Sequence, residues 1–304
     1  MKWRKLGRLW APDGTHAWAR THAMLPTPLP LADGRLRLLL ACADLNIVSS
    51  VGWIDLDRND PQRILGVAET PVLRPGAPGC FDDNGVNPCS VITMPDGSVR
   101  LYYVGYQLQQ NVPYTLFTGL ALADTGAGDF RRISLVPVLD RGPQEIFFRT
   151  APCVLPCVEG WQAWYIGGGE FVMEDGRLQP RYSLRHVTSP DGLAWPSAGC
   201  ELLAPGNGEL GFGRPWVLRD GAGWRLWYSI RTAKGYRLGY AESHDGLDWQ
   251  RRDDRVGIAT SPGEWDGEMI CYAAVVRIGD AMYMFYNGNG YGRTGVGLAI
   301  LEHG

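Results

Sequence analysis

Six acidic residues stand a few positions ahead of apolar, strand-like runs: Asp82 and Asp83 in FDDNGVNP, then Glu145, Glu209, Asp266 and Glu268. Two carboxyl groups facing one cavity can cleave a glycosidic bond. One protonates the leaving oxygen while the other activates water or attacks carbon, at a separation of about 5 Å for retention and roughly 6.5–9.5 Å for inversion. Asp83 and Glu268 form the preferred catalytic pair, with Glu145 and Glu209 as further candidates. The same residue types also form polar turns and rim charges, so a framework role stands beside the chemical one. Asp82 is read as a turn or supporting residue, and Asn87, just before Pro88, as a ligand contact.

The basic residues point to a different chemistry. Arg20, Arg149 and Arg214 occupy similar places on three apolar runs, Arg231 and Lys234 follow an aromatic run, and Arg293 lies in the last loop. A guanidinium grips carboxylate or phosphate through two parallel hydrogen bonds. Several around one pocket would favour a sugar phosphate, a nucleotide sugar, a sialic-type acid or inorganic phosphate; the alternative is structural salt bridges with neighbouring acids. His16 and His22 share strand parity and suit acid–base work, phosphate contact or structural hydrogen bonding. Trp18, Trp216, Tyr272 and Tyr291 are the aromatic residues placed to stack on a sugar, with Tyr236 behind them. GGGEF, residues 167–171, lacks the lysine and the strand-to-helix context of a phosphate loop and reads as a tight connection.

Composition narrows the frame around these residues. The formal net charge of the 304 residues is -3, which favours neither nucleic acid nor a membrane surface as partner. No apolar run approaches the roughly 18 residues of a membrane span. The N-terminal MKWRKLGRLWAPDG is basic without an apolar signal core, so a cytoplasmic location is expected. Seven cysteines with scattered spacing read as buried reduced thiols, not as a metal knuckle or disulfide frame. No cofactor or metal is called for.

The elements that must position the candidates come from an internal repeat. GRLRLLLACA, GSVRLYYVGY, GWQAWYIGGG, GWRLWYSIRT and DAMYMFYNGN share one plan, with Leu40, Tyr103, Tyr165, Tyr228 and Tyr286 at matching positions 63, 62, 63 and 58 residues apart. Each is preceded by an apolar strand and followed by one rich in Gly and Ala. Strand alternation is pervasive and helical periodicity almost absent. A unit of about 60 residues and three or four short strands is longer than a solenoid turn and fits a propeller blade. The expectation is an all-β, five-bladed β-propeller of about four antiparallel strands per blade, one domain over residues 1–304. The N-terminal KWRKLGRLW is expected to complete the last blade, with residues 2–10 pairing beside 295–302.

Two nearly identical stretches, SPDGLAW at 189–195 and SHDGLDW at 243–249, together with GEWDGEMICYAAVVRIGDAMYMFYNGNGYGRTGVGLAI, resemble the five-bladed propeller glycosidases, which include invertases, arabinanases and mannoside phosphorylases. The resemblance covers all five units and is strongest from residue 185 onward. It implies that the first strand of each blade lines a central funnel where carboxylates from different blades act together. Where that family often has Asp-Pro, this chain has Asn87-Pro88, Ala151-Pro152 and Arg214-Pro215, and its first blade offers His16, Arg20 and His22. The resemblance therefore implies a sugar-active enzyme at a glycosidic or glycosyl phosphate bond, with arginines holding an anionic partner. The alternative is a carbohydrate or sugar-phosphate binding protein derived from the same fold.

Overall fold

The computed structural model describes residues 1–174, 176–221 and 223–302. Among the described residues, antiparallel pairing divides twenty strands into five sets of four. β1 (Trp3–Trp10) opens the chain. The first set is β2 (Thr21–Pro30), β3 (Arg35–Ala43), β4 (Ser49–Asp57) and β5 (Ile64–Val67). The second is β6 (Val86–Thr93), β7 (Val99–Leu108), β8 (Tyr114–Ala123) and β9 (Arg131–Arg132). The third is β10 (Phe148–Cys157), β11 (Gly160–Glu174), β12 (Arg177–Ser189) and β13 (Cys200–Leu203). The fourth is β14 (Glu209–Asp220), β15 (Gly223–Thr232), β16 (Gly235–Ser243) and β17 (Gln250–Arg251). The fifth joins β18 (Cys271–Ile278), β19 (Ala281–Asn287) and β20 (Val296–Leu301) to β1. Among the described residues, helix is confined to short turns at Asp253–Arg255 and Asn289–Gly292.

The expected closure by the N-terminus is present: Trp3 pairs with Leu301 and Trp10 with Val296. Without β1, the β20 edge would present unpaired backbone groups to solvent. Contacts then run from set to set. Short parallel bridges join β8 to β10 and β12 to β14. Ser49 bridges to Gly85 between the first and second sets. The Trp216 indole donates to the Val275 carbonyl at 2.7 Å between the fourth and fifth. The Asn287 side chain bonds the backbone of Ala23 and Leu25, linking the fifth set back to the first. The aromatic residues of the repeat lie between sheets: Tyr103, Tyr165 and Tyr286 are fully buried and Tyr228 nearly so.

The acids nominated from the sequence explain how those tyrosines are buried. A buried phenol needs an acceptor, and Asp82, Glu145 and Asp266 accept from Tyr103 at 3.0 Å, Tyr165 at 2.7 Å and Tyr286 at 3.1 Å. Each acid also meets a cation: Arg132 at 2.7 Å, Arg149 at 3.3 Å and Lys5 of β1 at 2.5 Å, respectively. In the fourth set the Tyr228 hydroxyl donates to Asp253 at 2.7 Å, and Arg251 links Asp253 to Glu209. The first set has Leu40 at the matching position and instead buries Asp55 against Arg37 at 2.8 Å. Gly105 and Gly167, each two residues past the tyrosine, allow the acid-bearing segment to approach. A Cβ there would fall 2.8 Å from the Asp82 Cβ and 2.2 Å from Glu145 Oε1.

Candidate functional site

The first strand of every set carries a register shift at the same place: between Met24 and Thr27, Pro88 and Ser90, Thr150 and Cys153, Gly213 and Trp216, and Cys271 and Ala274. A bulge leaves one residue unpaired and re-aims its side chain; proline, which has no N–H for the ladder, is tolerated there. Leu25, Asn87, Ala151, Arg214 and Tyr272, at or beside these bulges, all line one cavity of about 470 Å³. Three of them, Asn87, Ala151 and Arg214, stand before a proline where the glycosidase resemblance places an acid, and here they are amide, methyl and guanidinium.

Backbone strain is concentrated at the same place. Among the described residues, the non-glycine residues with positive φ are His22, Leu25, Ile47, Ala151, Arg214, Tyr272 and Tyr291. All seven line this cavity. Such conformations cost of order 1–3 kcal/mol each and persist where the surroundings over-determine them, commonly at ligand sites.

Arg214 is 1% exposed and joins four sets across the axis. Its guanidinium donates to the Pro26 carbonyl at 2.7 Å, the Thr27 hydroxyl at 2.8 Å, the Tyr272 carbonyl at 3.1 Å and the Cys89 carbonyl at 3.3 Å. Trp216 lies under it, 4.9 Å from ring centroid to guanidinium carbon. Burial pulls its pKa down to about 10, so it stays charged at neutral pH. Nε has no protein partner.

Arg231 is the second cation of the lining. It donates to the side-chain oxygen Oε1 of Gln179 at 2.6 Å and to the Tyr182 hydroxyl at 3.3 Å. Tyr182 in turn meets the Tyr236 hydroxyl at 3.2 Å. Tyr236 packs against Tyr272 and Tyr291 at centroid distances of 5.6 and 5.7 Å. Asn46, Ser49, Asn84 and Asn87 line the same cavity, with the Ser49 hydroxyl donating to Asn87 Oδ1 at 2.9 Å. His22 also lines the cavity. Burial and then the positive charge of Arg293 lower its pKa, favouring neutral imidazole.

The structure brings His22, Asn87, Arg214, Arg231, Tyr236, Tyr272 and Tyr291 together and leaves the other candidates outside. No Asp or Glu is among the described residues that line the cavity. Asp83 accepts from the Gly79 amide at 2.8 Å in its own turn, and Glu268 is exposed. Asp82, Glu145 and Asp266 are committed to the tyrosine–cation clusters described above. Glu209 is tied to Arg251 at 2.7 Å and Arg237 at 3.0 Å and faces a separate polar cleft, which it shares with Glu170, Glu201, Arg181 and Arg185.

Arg149 is buried away from the cavity, donating to the carbonyls of Asp140 and Pro196 at 2.9 Å each. Arg20 is exposed and bonded to the Gly14 carbonyl, and His16 stands 3.7 Å from Glu69. Trp18 is core, with its indole donating to the Ala68 carbonyl. All seven cysteines are free; Cys42, Cys89, Cys153 and Cys271 are buried, whereas Cys200 is exposed. Tyr106, Tyr114 and Tyr182 also line the cavity, and sequence reasoning does not single them out. They lie on second and third strands, and in a linear reading nothing separates them from the core aromatics of the repeat.

No protein-family model matches the chain. Among solved structures, it is similar to one described as a glycoside hydrolase, at TM-score 0.73 and 16% identity over 99% of this chain and 92% of the other. A thermostable family-43 glycoside hydrolase gives TM-score 0.70 at 15% identity, covering 96% and 92%. A member of the GH130 family of mannoside phosphorylases, described in connection with hydrolases of beta-1,2 mannosidic linkages in Candida mannan, gives 0.65 at 15%, covering 99% and 90%. These likenesses establish the β-propeller fold of the glycosidase superfamily. In sequence, the chain is 36% identical over 304 residues, the whole of both chains, to the uncharacterized protein Rv1502 of Mycobacterium tuberculosis. A second Mycobacterium tuberculosis protein, MT1551, matches at the same identity and coverage. The chain belongs to the family of Rv1502 and has the fold of the propeller glycosidases.

Proposed function

We propose that the five strand sets are the blades of a five-bladed propeller whose central cavity binds an anionic sugar, a sugar phosphate or a sugar acid. The observation that carries this reading is the charge of the lining: two arginines and no carboxylate among the described residues. A guanidinium in a partly desolvated cavity without a facing acid favours an anion that accepts two hydrogen bonds. The tyrosine wall supplies flat faces for a sugar ring and hydroxyls for its edges. The propeller fold shared with proteins described as glycoside hydrolases makes carbohydrate the first ligand class to test.

Hydrolysis by a carboxyl pair needs an acid and a base on one cavity, and this lining offers neither as a carboxylate. The reading is therefore recognition of the anionic sugar without two-carboxylate hydrolysis. A second reading, phosphorolysis or transfer at a glycosyl phosphate bond, is favoured by His22. It is a strained, half-buried imidazole in the cavity, suited to take or give one proton.

Calorimetric titration with a hexose 1-phosphate, a uronic acid and the neutral parent sugar tests the proposal. The anions are expected to bind and the neutral sugar to bind at least about tenfold more weakly. Arg231→Gln is expected to remove that preference. Equal affinity for neutral and anionic sugars, unaffected by Arg231→Gln, would overturn it. Product analysis of each bound sugar phosphate with and without inorganic phosphate separates a binding protein from a phosphorylase or transferase.

A further inference from the structure

One side of the cavity mouth is apolar and held in place. The turn between β3 and β4 displays Leu45 at 77% and Ile47 at 59% exposure, and the end of β7 displays Leu108 at 57%. Ile47 and Leu108 line the cavity itself, together with Met24, Val104 and Leu116 deeper in. A β-branched residue in the left-handed region is a genuine outlier, yet Ile47 adopts φ 63°.

The turn around it is built, not slack. One Asp44 carboxylate oxygen accepts from the amides of Asn46 at 2.8 Å and Val48 at 3.0 Å. The Ile47 amide donates to the Asp44 carbonyl at 3.2 Å, and the Asp44 amide to the Val48 carbonyl at 3.1 Å. Glycine or asparagine would adopt this conformation at less cost. At 59% exposure Ile47 gains the fold little burial, and the surface it contributes lines the cavity. The deeper apolar lining continues the same surface inward, whereas a bare sugar phosphate would leave much of it uncovered.

Resting on the anionic-sugar reading, we infer that the ligand is amphiphilic. Its charged sugar group meets Arg231 and the tyrosine wall, and an alkyl, acyl or aryl substituent leaves along Leu116, Leu108 and Ile47. Ile47 and Leu108 share one cavity with Arg231, which favours a substituent of the bound ligand over a separate protein partner or a membrane surface.

The test compares the methyl and n-octyl phosphodiesters of one hexose 1-phosphate, which carry the same charge, below the micellar concentration of the octyl ester. The octyl ester is expected to bind about tenfold or more tightly than the methyl ester, because several methylenes leave water. Ile47→Gly, which relieves the backbone strain and so raises thermal stability, and Leu108→Ser are each expected to lower the octyl-to-methyl affinity ratio. Together they bring it towards one, and Arg231→Gln weakens both esters without changing the ratio. Saturable binding of both esters with equal affinity would overturn the amphiphile while leaving the anionic-sugar reading intact. Failure of both esters to bind would overturn the two together. Neutral phosphatidylcholine vesicles that bind the protein in an Ile47-dependent way, with no octyl gain in solution, would assign the apolar rim to a membrane instead.

Discussion

At the scale of single residues, what decides each acid's role is whether it has somewhere else to be. Asp82 has three commitments: the Tyr103 phenol, the Arg132 guanidinium and a site 1% exposed. Removing one partner of a buried pair strands the other. Asp82→Ala is therefore expected to destabilise the fold by about 3 kcal/mol or more with ligand affinity retained, read as the urea midpoint alongside a binding titration. His22 gives a pH dependence whose sign follows from its environment. Burial and Arg293 hold its folded pKa below the ordinary 6.5, so the folded chain favours neutral imidazole. Its contribution to stability is fully present above about pH 6.5 and is lost as pH falls through the lowered folded value. The buried His186 is shifted in the same direction by burial. Melting temperature measured from pH 8 to 5 should fall on the acid side, less steeply in His22→Gln. Anion affinity should rise over the same interval, when protonation adds a charge to the cavity, and His22→Gln should remove that added rise.

At the scale of elements, the acid–tyrosine pairs could have been found in the sequence. Asp82, Glu145 and Asp266 lie 21, 20 and 20 residues before their tyrosines, and Gly105, Gly167 and Gly288 stand two residues after them. A recurring acid 20 or 21 residues before a recurring buried phenol is a framework signal. It accounts for three of the six acids that strand-entrance position alone marks as chemical. β1 is the other element-scale feature. It closes the fifth set, and its Lys5 reaches Asp266 while Trp3 packs edge-on against Trp227, 6.3 Å between centroids. A chain lacking residues 1–10 loses both and exposes the β20 edge. It is expected to be recovered mainly as aggregate, with any soluble fraction melting well below the intact chain; recovery and melting temperature check this.

At the scale of the whole molecule, the repeat, the strand order and the N-terminal closure were legible because they depend on local pattern. Alternating aromatic and aliphatic residues fix strands, and a constant interval fixes the unit. The lining of the cavity was not legible, because it depends on which residue of each first strand stands at the bulge. Arg20, Arg149 and Arg214 look alike along the chain. Yet Arg20 lies in the bend before β2, and Arg149 lies two residues before the strained Ala151 and turns into the sheet interface. Only Arg214 stands at the bulge itself and reaches the axis. Residues two positions apart on a regular strand would share a face; the bulge between Thr150 and Cys153, and its counterpart between Gly213 and Trp216, breaks that parity and re-aims the side chain. The sequence by itself determined an all-β repeat and led to the expectation that its N-terminal strand completes the last set, since apolar alternation of this kind is buried by stacking one unit on the next. Only the tertiary structure decided that the shared cavity carries arginine, tyrosine and strained backbone but no carboxylate, because that outcome depends on five bulges brought together from segments far apart in the chain.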